Sequence, residues 1–367
     1  MIEDHVHVRN GLGAVGSELA RRPCCIAYLG NSVTAQRKGY RPLLHDRLVI
    51  RSGHPHRAIN AGFSATGSIG CLYTLADFVL KHSPDICFIE CSTGDKGIEA
   101  PTERIGPVLE GIVRQLLKHR CALCNLHLYR RDQSFDSSNP IIDAYERLLE
   151  HYGVPSINVG RLYEHSLSQQ QRDSFNFDGV HLSVEGAQWV SDIVADAVMQ
   201  MSSGTFSELE LPAPKYPDSY EFAALEPALL GMAIDAASAK CAWFRGLYPY
   251  IELASDNAIE FQTTDGPIDG LLLVVGPSAG FISVEAGGDR SEYLTWDAWC
   301  IYDRLQIVTF NAPVPTNAPV RISTLHKNVP DPLANLQLPK SLRIASFLVR
   351  RANPNSRARR PMIRSLQ

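Results

Sequence analysis

The chain has 367 residues, a length that exceeds what one hydrophobic core usually organises, so it predicts two domains. Hydrophobic residues make up 45% and charged residues 20% of the sequence, which is typical of a soluble globular protein. The net charge of −4 argues against a nucleic-acid partner, and no apolar stretch is long enough to predict a membrane span.

The cysteines favour a reducing environment. Their number, nine, is odd, and the first thirty residues contain no apolar stretch of signal-peptide length. Five of them fall in strand-like segments: Cys25, Cys87, Cys91, Cys121 and Cys124. We therefore expect buried free thiols and a cytoplasmic location. The Cys-x-x-Cys at 121–124 has no second pair, and the His-x-His pairs at 5–7 and 54–56 lack a nearby third ligand, so no metal or cofactor is predicted.

Short apolar runs alternate with longer segments of helical spacing between residues 23 and 204. The runs cover residues 24–30, 57–62, 85–91, 121–129 and 155–159. This alternation predicts an α/β domain whose parallel sheet is covered by helices on both faces. Asn139 followed by Pro140, and Ser183, are typical starts of two helices. Residues 1–22 are expected to form a separate N-terminal segment.

The second half of the chain has a different composition. Residues 205–220 are rich in Ser and Pro, which predicts a linker. Closely spaced β-rich runs with turn signals fill residues 221–340 and predict a smaller all-β sandwich or jelly-roll domain. Residues 341–367 form a basic C-terminal tail. From Arg343 onward it has seven arginines and no acidic residue, a composition typical of a solvated, disordered end.

Four loops of the first domain are expected to meet at one edge of its sheet. They read "GNSVT", "NAGFSATGS", "CSTGDKG" and "NFDGVHLSVEG". Open parallel sheets bind ligands beyond the carboxyl ends of their strands, so Ser32, Asp178 and His181 have a common meeting place. The spacing of Asp178 and His181 lets the carboxylate reach one ring nitrogen while the other faces away. In the alternative interpretation Ser32 is only a helix N-cap, Asp178 forms a turn and His181 lies at the surface.

These motifs, in this order, resemble those of the SGNH hydrolases, also called GDSL esterases and lipases. The similar strings are "GNS" at 30–32, "INAGFSATGS" with its Gly62, and "DGVHLS" beginning at Asp178. The resemblance covers about residues 24–200 and implies a flavodoxin-like, three-layer αβα fold. It also implies that Ser32 is the nucleophile, His181 the general base and Asp178 its orienting partner, with the N–H groups of Ser32 and Gly62 as oxyanion donors.

The third motif of that family departs from its usual form. In "ECSTGD" Gly94 stands where the family has an asparagine, while Asp95 remains and is given no catalytic role. Losing one oxyanion donor typically lowers an acyl-transfer rate about a hundredfold to a thousandfold. Three interpretations stay open: a slow esterase with two donors, a hole completed by the Asn31 amide or the Thr93 hydroxyl, and a catalytically weak or dead protein that only binds.

The resemblance implies a serine esterase or O-acyltransferase that acts through an acyl-enzyme on O-acyl esters, preferably O-acetyl esters of a carbohydrate. The β-rich half is similar to the accessory jelly-roll domain of some SGNH-type esterases of carbohydrate metabolism. Its aromatic cluster of Trp296, Trp299 and Tyr302 is typical of a sandwich core, and a sugar-binding surface is the second interpretation. A binding or scaffold protein is the competing function class. The choice between water and a second hydroxyl as acceptor, and the oligomeric state, stay open.

Overall fold

The structure is a computed structural model that describes residues 5–202, 211–217, 220, 223–228, 237–239, 248–255, 257–263, 266–298, 300–330, 340–351 and 363–365. The chain divides into two compact units, Met1–Glu221 and Phe222–Gln367, which we call the α/β unit and the β unit. Within the described ranges, no helix is both long enough and apolar enough to cross a membrane.

A six-stranded sheet forms the centre of the α/β unit. Its strands are β1 (Val6–His7), β2 (Cys25–Gly30), β3 (Arg57–Gly62), β4 (Ile86–Glu90), β5 (Ala122–His127) and β6 (Ser156–Asn158). They lie in the order β1-β6-β5-β4-β2-β3, and every pair is parallel except β1 with β6. All five predicted strands are therefore confirmed. The strand order reverses at β2, where β3 lies on one side and β4 on the other, and such a reversal opens a crevice at the carboxyl ends of the strands.

Helices cover both faces of this sheet. They are α1 (Gly13–Leu19), α2 (Ser32–Ala35), α3 (Tyr40–Ser52), α4 (Gly67–Phe78), α5 (Ser92–Gly97), α6 (Thr102–Lys118), α7 (Pro140–His151), α8 (Val159–Ser166), α9 (Gln169–Phe175) and α10 (Val184–Ser202). Helices α1, α3 and α10 pack together, and α4, α6 and α7 pack together as a second group. Ile26, Tyr28, Ile86 and Phe88 share a buried cluster with the first group, so the alternate strand residues face the second. The expected three layers are present.

Two helix starts follow the predicted chemistry. Helix α7 begins at Pro140, and the Asn139 side chain accepts a hydrogen bond from the Ile141 N–H at 2.9 Å. Helix α10 begins at Val184, and the Ser183 hydroxyl accepts from the Gly186 N–H at 3.2 Å. Helix α10 is the element that directly follows the "DGVHLS" loop, so this cap fixes the end of a loop of the site.

Both segments that were expected to lie outside the α/β domain belong to it where they are described. Strand β1 pairs with β6, so part of residues 1–22 extends the sheet. In the expected linker, the Lys215 N–H donates to Glu110 of α6 at 2.5 Å, and the Pro212 carbonyl accepts from Arg114 of the same helix at 2.7 Å. The buried Glu110 carboxylate needs donors that its own helix cannot supply. A two-residue strand and such a contact leave no periodic signal in the sequence.

The β unit is an antiparallel sandwich. Its strands are β7 (Ala223–Pro227), β8 (Ala237–Ala239), β9 (Tyr248–Leu253), β10 (Ala258–Thr263), β11 (Ile268–Val275), β12 (Phe281–Ala286), β13 (Asp289–Leu294), β14 (Arg304–Val314), β15 (Pro319–Leu325), β16 (Leu342–Arg350) and β17 (Ile363–Ser365). One sheet has the order β13-β12-β15-β10-β17, and the other has the order β14-β11-β16-β9-β8, with β7 paired to β16. Buried residues of both sheets form one core, which confirms the expected all-β domain.

The basic tail is the largest error of the sequence prediction. Residues 342–350 form β16, a buried strand that pairs with β11, β9 and β7 in the middle of its sheet. Arginines are tolerated in it because each has an acidic partner: Arg343 pairs with Asp303 and Arg350 with Asp269. Residues 352–362 and 366–367 lie outside the described residues.

The aromatic cluster is only partly described. Trp296 packs against the core of the β unit, which agrees with the core interpretation for that residue. Tyr302 is partly exposed, and Trp299 lies outside the described residues. The core interpretation thus holds for Trp296, and the sugar-binding interpretation of the cluster stays a prediction.

Candidate active site

Ser32 lies at the carboxyl end of β2, at the point where the strand order reverses. It is the first residue of α2, and its Oγ lies 2.8 Å from His181 Nε2. The N-cap position is held by Asn31, whose side chain makes no cap hydrogen bond. The interpretation of Ser32 as only a helix cap is therefore wrong, because its hydroxyl is directed to a histidine 149 residues away in the chain.

The loop between α9 and α10 holds the histidine in a defined orientation. Asp178 Oδ1 accepts hydrogen bonds from the N–H groups of Val180 at 3.0 Å and His181 at 2.7 Å. The other carboxylate oxygen lies 2.6 Å from His181 Nδ1. Gly179 has a φ of 88°, in the left-handed region that favours glycine, and it makes the turn that lets Asp178 bond three residues ahead.

These contacts fix the tautomer of His181. The Asp178 carboxylate can only accept a hydrogen bond, so His181 Nδ1 carries the proton that it donates to Asp178. His181 Nε2 then has a lone pair directed at the Ser32 hydroxyl. Burial acts to raise the pKa of Asp178, but the hydrogen bonds from the His181 N–H, the His181 ring and Val180 outweigh it and lower that pKa. The carboxylate is thus ionised at neutral pH. The His181 side chain is 29% exposed, so the group is open to solutes.

The N–H of Gly62 has a partner inside the protein. It donates to the Asn60 side-chain oxygen at 3.1 Å, and Gly62 is buried. A Cβ at this position would lie 2.4 Å from the Ala35 nitrogen, so glycine is needed for the close approach of β3 to α2. The structure thus explains Gly62 by packing, and it gives the expected oxyanion donor another acceptor.

The Asn31 side chain joins three of the four loops. Its amide nitrogen donates to the carbonyl oxygens of Glu90 and Cys91, both at 3.3 Å. Its oxygen accepts from the N–H groups of Thr66 at 3.3 Å and Gly67 at 2.9 Å. Asn31 is 2% exposed. Both amide protons are therefore engaged in holding the loops together, contrary to the expectation that this amide completes the oxyanion hole.

The position of Asn31 also explains Gly94. A Cβ on Gly94 would lie 2.2 Å from the Asn31 side-chain carbon and nitrogen. The space that a residue 94 side chain needs is thus occupied by the amide of residue 31. An asparagine at position 94 would therefore compete with the Asn31 side chain for one space.

Thr93 is engaged by a buried acid that the sequence analysis missed. The Thr93 hydroxyl donates to Glu90 through a short hydrogen bond, so it is not directed at a substrate. The same carboxyl accepts from Thr34 Oγ1 at 3.1 Å and the Asn31 N–H at 3.4 Å. Burial raises the pKa of Glu90 to about 7, although these hydrogen bonds lower it. Glu90 therefore links the Ser32 turn with the loop after β4.

Asp95 has a structural role, because its carboxylate joins three helices. Its Oδ1 accepts from the Ser68 N–H at 2.7 Å at the start of α4, and its Oδ2 accepts from the Tyr145 hydroxyl at 2.5 Å. Asp95 is fully buried, and burial raises its pKa to about 6 despite these bonds. It therefore ties α5 to α4 and α7.

The site has one exposed aromatic neighbour that sequence reasoning also missed. The Phe177 ring stacks on the His181 ring, with centroids 5.7 Å apart and an interplanar angle of 15°. Its only signal in the sequence is its place directly before Asp178.

Metal-ligating geometry is not found: among the described residues no three His, Cys, Asp or Glu side chains are grouped to hold an ion. Eight cysteines in those ranges are free and buried.

Residues 28–189 match the model of the GDSL-like Lipase/Acylhydrolase family. The α/β unit is an ester hydrolase domain of this GDSL/SGNH type. A two-domain esterase (CEX) active on acetylated mannans, co-crystallised with mannopentaose, covers 96% of this chain and 99% of its own, with a TM-score of 0.71 and 16% identity. Another structure of that esterase covers 95% and 99%, again with a TM-score of 0.71 and 16% identity.

An acetyl xylan esterase, AlAXEase, covers 47% of this chain and 99% of its own, with a TM-score of 0.42 and 18% identity. No curated protein matches the chain. At such low identity the similarity to the two-domain esterase concerns the fold. It extends the comparison beyond the GDSL-type domain, because both the α/β unit and the antiparallel β unit are included in the matched length.

Proposed function

We propose that this protein is a serine esterase that removes O-acyl groups, preferably O-acetyl groups, from a carbohydrate ester. The observation that carries the proposal is the series of contacts from Ser32 Oγ to His181 Nε2 at 2.8 Å and from His181 Nδ1 to Asp178 at 2.6 Å. Its place in a GDSL-type domain supports the reaction class. The fold shared with an esterase active on acetylated mannans supports the substrate class.

The first half-reaction uses the three side chains as follows. Ser32 Oγ attacks the acyl carbon while His181 Nε2 takes its proton, and Asp178 stabilises the resulting imidazolium. The tetrahedral intermediate then expels the sugar oxygen, which takes the proton back from Nε2. An acyl-Ser32 enzyme and a free sugar hydroxyl remain. In the second half-reaction, water attacks the acyl carbon and gives a proton to His181. Ser32 Oγ then leaves the acyl carbon and takes that proton, and the carboxylic acid is released.

The oxyanion donors set the expected rate. The Ser32 N–H lies in the first turn of α2, where backbone N–H groups carry a partial positive charge. The other expected donors, on Gly62, Asn31 and Thr93, have acceptors inside the protein. Each donor removed from an oxyanion hole costs about a hundredfold to a thousandfold in kcat. We therefore expect a slow esterase rather than a fast one.

Labelling with a fluorophosphonate tests the proposal with no assumption about the sugar. We expect wild-type protein to be labelled at Ser32 and to hydrolyse 4-nitrophenyl acetate, and the Ser32→Ala variant to do neither. Folded wild-type protein that is neither labelled nor active would instead favour the binding or scaffold function. Acetylated manno-oligosaccharides are the first glycan substrates to test, with released acetate as the readout.

The acceptor and the compartment are tested separately. Acyl transfer to an added sugar hydroxyl, measured beside acetate release, distinguishes an O-acyltransferase from a hydrolase, since both share the acyl-enzyme. A reducing, cytoplasmic location is supported by the eight free, buried cysteines of the described ranges. Protein from the native host that is acid-quenched and then unfolded in denaturant should therefore alkylate at every cysteine, and a native disulfide would contradict that location.

A further inference from the structure

Phe177 is an exposed aromatic residue beside His181. The residue is 67% exposed, although burying a phenylalanine usually stabilises a fold by about 1.5–3 kcal/mol. One face of the ring stacks on His181, and the ring gains no other aromatic neighbour among those described. Among the described residues of the α/β unit, the exposed large hydrophobic side chains are those of Val8, Ile50, Phe177 and Val184. Phe177 and Val184 lie close to His181 in the chain.

The backbone holds Phe177 in this place. The Phe177 N–H donates to the His181 carbonyl oxygen at 3.1 Å, and its neighbour Asn176 forms a β-bridge with Leu182. Asn176 is 1% exposed, and its amide donates to the Val180 carbonyl at 3.2 Å. The exposed ring thus stands on an anchored loop, and its position is set together with that of His181.

We propose that Phe177 is a specificity-determining residue that binds a pyranose ring of the substrate beside Ser32 and His181. The proposal rests on the proposed carbohydrate esterase function. The C–H face of a pyranose is apolar and flat, so it packs on the free face of an aromatic ring and removes apolar surface of both from water. A small acyl ester that has no ring gains nothing from this contact.

The test compares two esters in wild type, Phe177→Ala, Phe177→Leu and Phe177→Trp. An acetylated manno-oligosaccharide carries the ring, and glycerol triacetate is a matched acetyl ester without one. We expect Phe177→Ala and Phe177→Leu to lower kcat/KM for the oligosaccharide about tenfold, mainly through KM, and to change glycerol triacetate less than about twofold. Phe177→Trp should keep the preference. Ile50→Ala, which removes an exposed side chain of α3, is the control.

Equal losses of kcat/KM on both esters would overturn the proposal, because they would show that Phe177 only holds the His181 ring in position. Unchanged kinetics would overturn it as well. Binding of the acetylated oligosaccharide to Ser32→Ala, measured by calorimetry, gives a second readout that needs no turnover. Phe177→Ala in that background should weaken binding about tenfold. Wild-type protein that hydrolyses neither ester would refute the proposed function, while this binding difference would still decide the role of Phe177.

Discussion

The α/β unit contains two similar arrangements of a serine, a histidine and an acid. We call them the Ser32 array and the Ser92 array, which consist of Ser32, His181 and Asp178, and of Ser92, His127 and Glu146. In the Ser92 array the serine oxygen lies 3.1 Å from one ring nitrogen and the acid 2.9 Å from the other, close to the distances in the Ser32 array. The serine and histidine of the Ser92 array are completely buried, whereas His181 is 29% exposed. Residue types and distances are therefore insufficient to identify a catalytic site. The exposure of the residues to substrate is needed as a further criterion.

The Ser92 array also differs in its connections. It joins β5 to α5 and α7, and its acid additionally accepts from Arg9 and from Ser156. Burial would raise the pKa of Glu146, but the hydrogen bond and charge of His127 and those of Arg9 hold it well below the usual range. The ring nitrogens are exchanged as well, with Nδ1 facing the serine in this array and Nε2 in the Ser32 array. These contacts are those of a structural network.

The largest expected effect separates the two serines. Ser32→Ala removes the proposed nucleophile, so kcat for 4-nitrophenyl acetate should fall by about ten-thousandfold or more. Ser92→Ala is the matched control and should leave kcat within about twofold while lowering the free energy of unfolding by about 1 kcal/mol. Initial rates and urea unfolding measure both. A folded Ser92→Ala variant without activity would contradict the comparison.

The two acids give the next largest difference. Asp178→Asn keeps the shape but removes the charge that fixes the tautomer of His181, so kcat should fall by about a thousandfold to ten-thousandfold. Glu146→Gln changes the acid of the Ser92 array and should leave kcat within about twofold. Both variants are assayed at one pH after circular dichroism has shown them folded. Similar losses in the two would mean that the arrays act together in catalysis.

His127 should matter to stability alone. His127→Ala leaves a cavity and takes a partner from Glu146, so the free energy of unfolding should fall by about 2–4 kcal/mol. His119→Ala, an exposed histidine at the end of α6, should change it by less than about 0.5 kcal/mol. Chemical unfolding of each variant is compared with kcat per folded molecule. Full stability of His127→Ala would remove the structural role.

Gly94→Asn tests the competition for space with Asn31. The new side chain overlaps the Asn31 amide, so we expect the free energy of unfolding to fall by about 1–3 kcal/mol and turnover to fall rather than rise. The double variant Asn31→Gly/Gly94→Asn should recover at least half of the lost stability, because only one side chain then fills the space. Additive losses in the double variant would contradict the overlap.

Glu90 should affect the pH dependence of stability. Its pKa is raised in the folded state to about 7, so the folded protein holds a proton that the unfolded chain has released. Stability is therefore complete below the unfolded pKa and is lost as the pH rises toward 7. Glu90→Gln should flatten the change in unfolding free energy between pH 4.5 and 7.5 by about 1–3 kcal/mol. The exposed Glu185→Gln control should follow wild type.

Sequence reasoning recovered what depends on local pattern. Apolar runs predicted the strands, and the motifs at the ends of these strands predicted that Ser32 and His181 lie close together. It missed what depends on distant partners. Nothing near Asn31 in the chain shows that its amide fills the space beside Gly94, and Ser92 and His127 have no shared motif. The catalytic roles of the Ser32 array stay predictions until they are tested.

The same limit explains the error at β16. Its arginines resembled a solvated tail because their acidic partners lie far away in the chain, with Asp303 forty residues from Arg343. The run "LRIASFLVR" is nevertheless buried along its length. A short apolar segment that contains arginine is therefore ambiguous from sequence alone, since ion pairing decides whether it is a strand or a surface segment.

The place of β16 in the β unit has a consequence for protein synthesis. The strand pairs with β11, β9 and β7, yet it leaves the ribosome more than a hundred residues after β7. The α/β unit is complete once residue 221 has emerged, and it can fold as the ribosome continues. The β unit, in contrast, cannot complete its sheet until β16 has been synthesised, because β16 lies between β11 and β9. Unpaired edges of β11 and β9 are thus exposed during translation, and chains stalled before residue 342 are expected to aggregate.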